Sequence, residues 1–231
     1  MQTNQNSLVY DVVVVGGGPA GATAAETLAK KGKKVLLLDR RGRIKPCGGA
    51  IPPRLIKDFA IPDELLVAKS TSARMISPAG KKVDIQIENG FVGMVDRSEF
   101  DEWLRNRAVQ HGAERRDGIF EKLTREGDLA RIHFKVRDNK STVEGTMDSI
   151  LARAVIGADG AKSQVGRSAG VKGCAEANYV FAYHEIVKTP VVKPDSYNPD
   201  RCDVFYQKPL SPDFYGWVFP HGDTLSIGTG S

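Results

Sequence analysis

Cys47, Tyr215 and Trp217 are the residues whose types and surroundings most invite chemistry. Cys47 is followed by Gly48 and Gly49, which let a loop come close to a planar ligand. Its thiol has a proton to give near neutral pH, although the commoner fate of cysteine is a small buried hydrophobe. Tyr215, Trp217 and Phe219 alternate in "YGWVFPHGDTLSIGTG", residues 215–230, and alternate residues of an extended chain share a face. That face is either packed core or the wall of a site, and spacing leaves both open. Pro220, Gly228 and Gly230 complete the stretch. Cys174 and Cys202 match no motif.

A second group has the character of a phosphate cradle. In "LVYDVVVVGGGPAGATAAETLAKKGKKVLLLDRR", residues 8–41, the run Val12 to Val15 predicts a strand buried on both faces of a parallel sheet. Gly16-x-Gly18-x-x-Gly21 follows at once, with Pro19 and Ala20 inside it. Gly16 allows the tight turn, Gly18 lets a pyrophosphate approach the backbone, and Gly21 lets a helix lie close to the sheet. Ala24, Ala25 and Leu28 continue that packing face, and Gly32 ends the helix after Lys30 and Lys31, whose charges complement its dipole. The next strand, Val35 to Leu38, ends in Asp39, 23 residues after Gly16. A carboxylate there accepts from both hydroxyls of an adenosine ribose and repels a 2′-phosphate. The pattern points to FAD or NAD rather than NADP, an inference softened by Arg40 and Arg41 beside the acid.

Two later segments add candidates. "LARAVIGADGAKSQVGRS", residues 151–168, predicts a short strand, a Gly-Ala-Asp-Gly turn and a helix. Asp159, flanked by Gly157 and Gly160, suits hydrogen bonding to a ligand's hydroxyls, while the same letters also make a common Asp-Gly turn. "DRSEFDEWLRNRA", residues 96–108, predicts a helix with Ser98 as N-cap, Asp101 three residues on, and Phe100, Leu104 and Ala108 as its buried stripe. Arg97, just before that cap, points at a cofactor or simply at solvent.

Composition narrows the class. With 41% apolar and 26% charged residues, the chain can bury a core and form one or two domains. Its purely aliphatic runs "VVVV" and "VLLL" predict no transmembrane helix. "MQTNQNSLVY" lacks the basic start and apolar run of a secretory signal, so a cytoplasmic location is expected. Three scattered cysteines without a C-x-x-C pair, and four scattered histidines, argue against a disulfide framework and against a metal site. The net charge of +5 is mild, and no basic block or aromatic interleaving favours nucleic acid.

The "GGGPAG" fingerprint, Arg97 before a helix, and "GADGAKSQVGR" together resemble the flavoprotein family typified by p-hydroxybenzoate hydroxylase. That resemblance implies FAD, with Asp159 and Gly160 at the flavin and Arg97 along its pyrophosphate or ribityl chain. The stretch from 215 fits Y-x-W-x-F-P, seven residues, then G-x-G, which resembles the substrate-site signature of geranylgeranyl reductases. "RIKPCGGAIPPRLIKDFAIP" (43–62) and "GFVGMVDRSEFDEWL" (90–104) resemble the chlorophyll and bacteriochlorophyll branch of that family rather than its archaeal lipid branch.

The resemblance implies saturation of isolated double bonds of a geranylgeranyl chain, free as the diphosphate or attached to pigment, with NADPH as reductant. Cofactor contacts are expected at Gly16, Gly18, Ala20, Gly21, Asp39, Arg40, Cys47, Gly48, Gly49, Arg97, Asp159 and Gly160. Substrate contacts are expected at Tyr215, Trp217, Phe219, Pro220, Gly228 and Gly230. An isolated alkene has no carbonyl to take up charge, so hydride delivery must be coupled to proton delivery. Cys47 is the candidate donor, and the rings of Tyr215 and Trp217 could each stabilise a developing cation by about 0.5–2 kcal/mol. The lipidic substrate implies peripheral contact with the photosynthetic membrane. An FAD-dependent aromatic monooxygenase and a non-catalytic flavin-binding fragment are the alternatives.

The fold expected is α/β, α+β overall: a Rossmann-like FAD-binding domain over 1–171, and the start of a mainly antiparallel substrate domain over 172–231. Alternating stretches at 73–95 predict a strand insertion in the first domain, and "ARIHFKV" (130–136) predicts a further strand. After about 172, "YVFAYHEIV", "CDVFYQ", "YGWVF" and "TLSIGTG" all read as strands. The fold's third flavin segment, a later Gly-Asp turn, is expected beyond Ser231, which makes the chain a C-terminally truncated example.

Overall fold

A computed structural model describes residues 8–40, 44–136, 145–174, 176–192 and 194–231. Arg41 and most of the stretch read for a secretory signal lie outside them. The chain runs β1 (Val9–Val15), α1 (Pro19–Lys30), β2 (Val35–Asp39), β3 (Ala50–Ile51), α2 (Pro53–Asp58), β4 (Ala68–Ser70), β5 (Ser72–Ile76), β6 (Lys82–Gln86) and β7 (Val92–Met94). It continues with α3 (Arg97–Gln110), β8 (Glu114–Glu126), β9 (Leu129–Val136), β10 (Met147–Gly157), α4 (Gln164–Ser168), β11 (Ala182–Lys188), β12 (Arg201–Phe205), β13 (Gly216–His221) and β14 (Thr224–Gly230). These elements form two compact units, one of residues 1–43 and 101–178, the other of 44–100 and 179–231, with the division falling inside α3.

In the first unit, β1 lies between β2 and β10 in parallel register, Val13 opposite both Leu36 and Val155. β2 in turn pairs in parallel with the start of β8. The long strands β8 and β10 then leave the parallel sheet and hold β9 between them in antiparallel pairing, which closes a ring of five strands. Val13, Val15, Leu36 and Leu38 bury one face against Phe120, Ile132 and Phe134. Val14, Val35 and Leu37 bury the other against Ala25, Ala29, Ala108 and Ala113. Two buried faces explain the uninterrupted aliphatic runs, and each fully buried Val or Leu contributes about 1.5–3 kcal/mol. Gly32, at φ +72, ends α1 as expected.

The second unit holds a six-stranded sheet ordered β11-β14-β13-β12-β5-β6 and a small sheet ordered β3-β7-β4. The strands expected at 73–95 exist, but they are not an insertion in the nucleotide unit. β5 pairs in parallel with β12, Ala73 opposite Cys202, and with β6 on its other side, so backbone hydrogen bonding draws β5 and β6 to the last quarter of the chain, while β7 pairs with β3 and β4; the compact units divide at 43/44, 100/101 and 178/179. The core here is Met94, Cys202, Val204, Trp217 and Phe219. Among the described residues no helix is long and apolar enough to cross a membrane.

Candidate active site

The glycine turn of the first unit is built by exclusion. Gly16 has φ +104, and a Cβ there would lie 2.5 Å from the Ala158 carbonyl oxygen. A Cβ on Gly21 would lie 1.8 Å from the Gly16 oxygen, and one on Gly17 would lie 2.6 Å from the Asp39 carboxyl. Gly18 alone in this turn meets nothing within 4 Å. It is the N-cap of α1, no side chain caps that end, and Pro19 opens the helix with Ala20 exposed beside it. Backbone amides at a helix start facing open space suit an anion.

Asp39 is held in place by the protein. Its Oδ1 accepts from the Gly17 N–H at 2.8 Å, and its Oδ2 lies 3.4 Å from Arg105 Nη1, which also donates to the Gly17 carbonyl at 2.9 Å. A carboxylate has about four lone-pair positions, so capacity remains for a ribose diol. Arg105 Nε donates to Glu102 at 2.9 Å, and Arg115 donates to the same carboxylate at 2.6 and 3.1 Å. Hydrogen bonding from Arg115, and then from Arg105, lowers Glu102 to about 2 against the opposing effect of burial. Gly17 and Arg105, which hold Asp39 in place, are not disclosed by the sequence pattern. The turn with its uncapped helix, and an acid with free acceptor capacity, fit an adenine dinucleotide. Arg40 is exposed.

The Asp159 carboxylate is engaged by the protein's own donors. Its Oδ1 accepts from Ser163 Oγ at 2.5 Å, and its Oδ2 accepts from the N–H groups of Gln164 at 2.6 Å and Val165 at 3.1 Å. The carboxylate is thus turned back to cap α4, while the backbone before it packs on Gly16. Gly160, at φ +90, supplies the turn. Arg97 is the first residue of α3 rather than the residue before its cap, and Ser98 lies within the first turn. Phe100 N–H bonds the Asp96 carbonyl at 2.9 Å, which starts the helix earlier than the Ser98 reading. The stripe Phe100, Leu104 and Ala108 is buried as expected.

In the second unit the glycines make room for protein. A Cβ on Gly48 would lie 2.5 Å from the Phe219 ring and 3.2 Å from Trp217 Nε1, and Gly49, at φ +72, packs on Val95 and His221. What approaches this loop within the unit is therefore aromatic side chain. Gly228 and Gly230, where substrate contacts are expected, accommodate the rings of Trp217 and Phe214, with a Cβ on Gly228 falling 2.0 Å from Trp217 Cζ2. Trp217, Phe219 and Pro220 are buried, and Trp217 Nε1 donates to Ser226 Oγ at 3.1 Å. Trp217 and Phe219 belong to the core cluster of this unit, with Tyr215 packed against its edge. Tyr215 differs. It is half-buried, stacked on Phe214 at 4.1 Å and edge-on to Tyr206 at 6.1 Å, and those two partners are exposed. Burial, then the neighbouring Cys47 and Tyr206, push the Tyr215 hydroxyl above its ordinary pKa. Cys47 is half-buried, its sulfur accepting from Gly49 N–H at 3.5 Å. Sequence reasoning missed His221, a lone histidine after Phe-Pro, which bridges Asp96 and the Gly48 carbonyl.

The family model for the FAD binding domain matches residues 9–214. Geranylgeranyl diphosphate reductase of Rhodobacter capsulatus is 58% identical over 222 residues, covering 96% of this chain and 54% of that protein. The chloroplastic geranylgeranyl diphosphate reductase of Arabidopsis thaliana is 38% identical over 227 residues, covering 95% and 48%. A geranylgeranyl bacteriochlorophyll reductase-like protein of Thermoplasma acidophilum superposes with a TM-score of 0.79 at 28% identity, over 96% of this chain and 56% of that one. The chain spans about half the length of the relatives it matches.

Proposed function

The chain belongs to the FAD binding domain family, and from that premise we propose that it is the FAD-holding part of a geranylgeranyl reductase of the chlorophyll and bacteriochlorophyll branch. The observation that carries the reading is Gly18, open to space at an uncapped helix start while Gly16, Gly17 and Gly21 around it are filled. Backbone at Gly18, Ala20 and Gly21 would receive the pyrophosphate. Asp39 would accept the ribose hydroxyls with Arg105 keeping it oriented. Arg40, Arg97 and the backbone of Asp159 and Gly160 are the further contacts proposed. When bound, FAD supplies hydride transfer, with NADPH as its reductant.

The second unit's own groups supply protons and an apolar wall. Cys47 and Tyr215 are neighbouring protic side chains, and the raised pKa of Tyr215 keeps its proton on the oxygen at neutral pH. The exposed rings of Tyr206 and Phe214 beside Tyr215 offer an isoprenoid a surface of π faces, and of the two rings expected to stabilise a developing cation Tyr215 is the one beside that surface. Exposed Val191 and Val192, between β11 and β12, support a peripheral contact with the photosynthetic membrane from the cytoplasmic side.

The test is anaerobic incubation of the intact flavoprotein with NADPH and either geranylgeranyl diphosphate or geranylgeranyl-bacteriochlorophyll, following product mass. Gain of two hydrogens per reduced bond is expected. An unchanged prenyl mass, with oxygen consumed on an aromatic instead, would turn the reading to the monooxygenase.

A further inference from the structure

Three separate stretches of the second unit meet at His221. Its side chain is 3% exposed. Nδ1 lies 2.9 Å from Asp96 Oδ1, and Nε2 lies 2.9 Å from the Gly48 carbonyl oxygen. A carbonyl oxygen only accepts, and so does an ionised carboxylate, so each ring nitrogen must carry a proton to make its bond. A neutral imidazole has one N–H and would set its bare nitrogen lone pair against an acceptor inside the protein, a costly arrangement. The geometry therefore calls for an imidazolium with Asp96 as counterion. The ring also occupies the space beside Gly49, where a Cβ would come within 2.8 Å of its Cε1.

We infer that His221 is a positioning residue: a charged lock that ties the end of β13 to Asp96 ahead of α3 and to the Cys47–Gly49 turn, and so fixes where Cys47 stands. The inference rests on the reading of Cys47 as a proton donor of the reductase. The Val95 N–H already fastens this turn through the Gly49 carbonyl at 2.9 Å, and His221 holds the adjacent carbonyl from the other side. The titratable groups facing the ring are Asp96, from the β7–α3 junction, and His184, from β11. Burial, and then the His221 charge, push the His184 pKa down. A neutral His184 presents its Nδ1 to Ser226 Oγ at 3.2 Å, the same hydroxyl that accepts from Trp217.

The experiment compares wild type, Asp96→Asn and His221→Gln in the intact flavoprotein. Asp96 is about half exposed, at 49%, so the near-isosteric Asn is suited to preserve folding, checked by circular dichroism, while removing the counter-charge. Nitrogen-15 spectra of wild type should show both His221 ring nitrogens protonated at pH 7. Cys47 alkylation by iodoacetamide at pH 7 should be several-fold faster in Asp96→Asn than in wild type, because the carboxylate that holds the ring is gone. His221→Gln should alkylate several-fold faster at pH 7, with kcat falling more than KM changes. A single ring proton on His221, or alkylation rates identical in all three proteins, would overturn the inference. A wild type that does not reduce alkenes, yet shows the doubly protonated ring and the alkylation pattern, would support the lock while removing the reductase reading.

Discussion

The glycine turn of the nucleotide unit and the glycines of the β-rich unit are the same letters put to opposite uses. Around Gly18 the chain leaves space that nothing fills, whereas at Gly48, Gly228 and Gly230 the absent side chains are replaced by Phe219, Trp217 and Phe214. A glycine can thus mark room for a ligand or room for the protein's own rings. A motif's spacing does not separate the two cases; the position of a hypothetical Cβ does.

Substitutions sharpen that contrast. The largest effect is expected at Gly228→Ala, whose Cβ would fall 2.0 Å from a buried indole. Overpacking there should cost about 3 kcal/mol, read as a lower urea midpoint, while flavin binding per folded molecule is unchanged. Gly18→Ala is the converse. Its φ of −71 suits alanine, so stability should hold within about 0.5 kcal/mol, but FAD affinity should fall about tenfold or more in a fluorescence titration. If Gly18→Ala binds flavin like wild type, the open position is not the cradle.

The aromatic residues repeat the division within one strand region. Trp217→Phe should lower stability by about 2 kcal/mol through lost packing and the unmade bond to Ser226, without changing turnover per folded molecule. Tyr215→Leu should do the reverse, with kcat down about tenfold if its ring face stabilises charge by the upper part of about 0.5–2 kcal/mol. Equal turnover of Tyr215→Phe and Tyr215→Leu would remove the cation argument. The smallest effect concerns Glu102, lowered to about 2 from 4.5. A depressed carboxyl contributes stability above its unfolded pKa and loses it as pH falls through the folded one. At 43% exposure, solvent screening reduces the contribution to about 1 kcal/mol, fading between roughly pH 4.5 and 2. Glu102→Gln should flatten that part of an acid-denaturation curve.

How far each region was legible follows from how local its signals are. Strand, glycine turn, helix, strand and terminal acid lie within the first 39 residues and read directly from period and spacing. Arg105 did not, because an arginine on a polar helix position looks the same whether it faces solvent or an acid 66 positions away. β8 also escaped notice: "ERRDGIFEKLTRE" is mostly charged and only Gly118 and Phe120 are buried, so hydrogen bonds to two neighbours, not an apolar pattern, make it a strand. In the second unit, alternation correctly announced the strands and put three rings on one face. It carried no information on what covers that face, so Trp217 and Tyr215 received the same role. His221 gave no signal because its partners, Gly48 and Asp96, lie 173 and 125 positions away.

The parallel pairing of Arg201 with Ser72 has a consequence for how this molecule is made. At about 5–20 residues per second of translation, β5 leaves the ribosome on the order of ten seconds before β12 exists. During that interval Ala73 and Met75 have no β12 beside them, and the half-formed sheet offers a sticky edge to any nascent neighbour. A chaperone that shields the stretch from 72 to 86 until synthesis reaches 205 would raise the yield of the second unit more than that of the first.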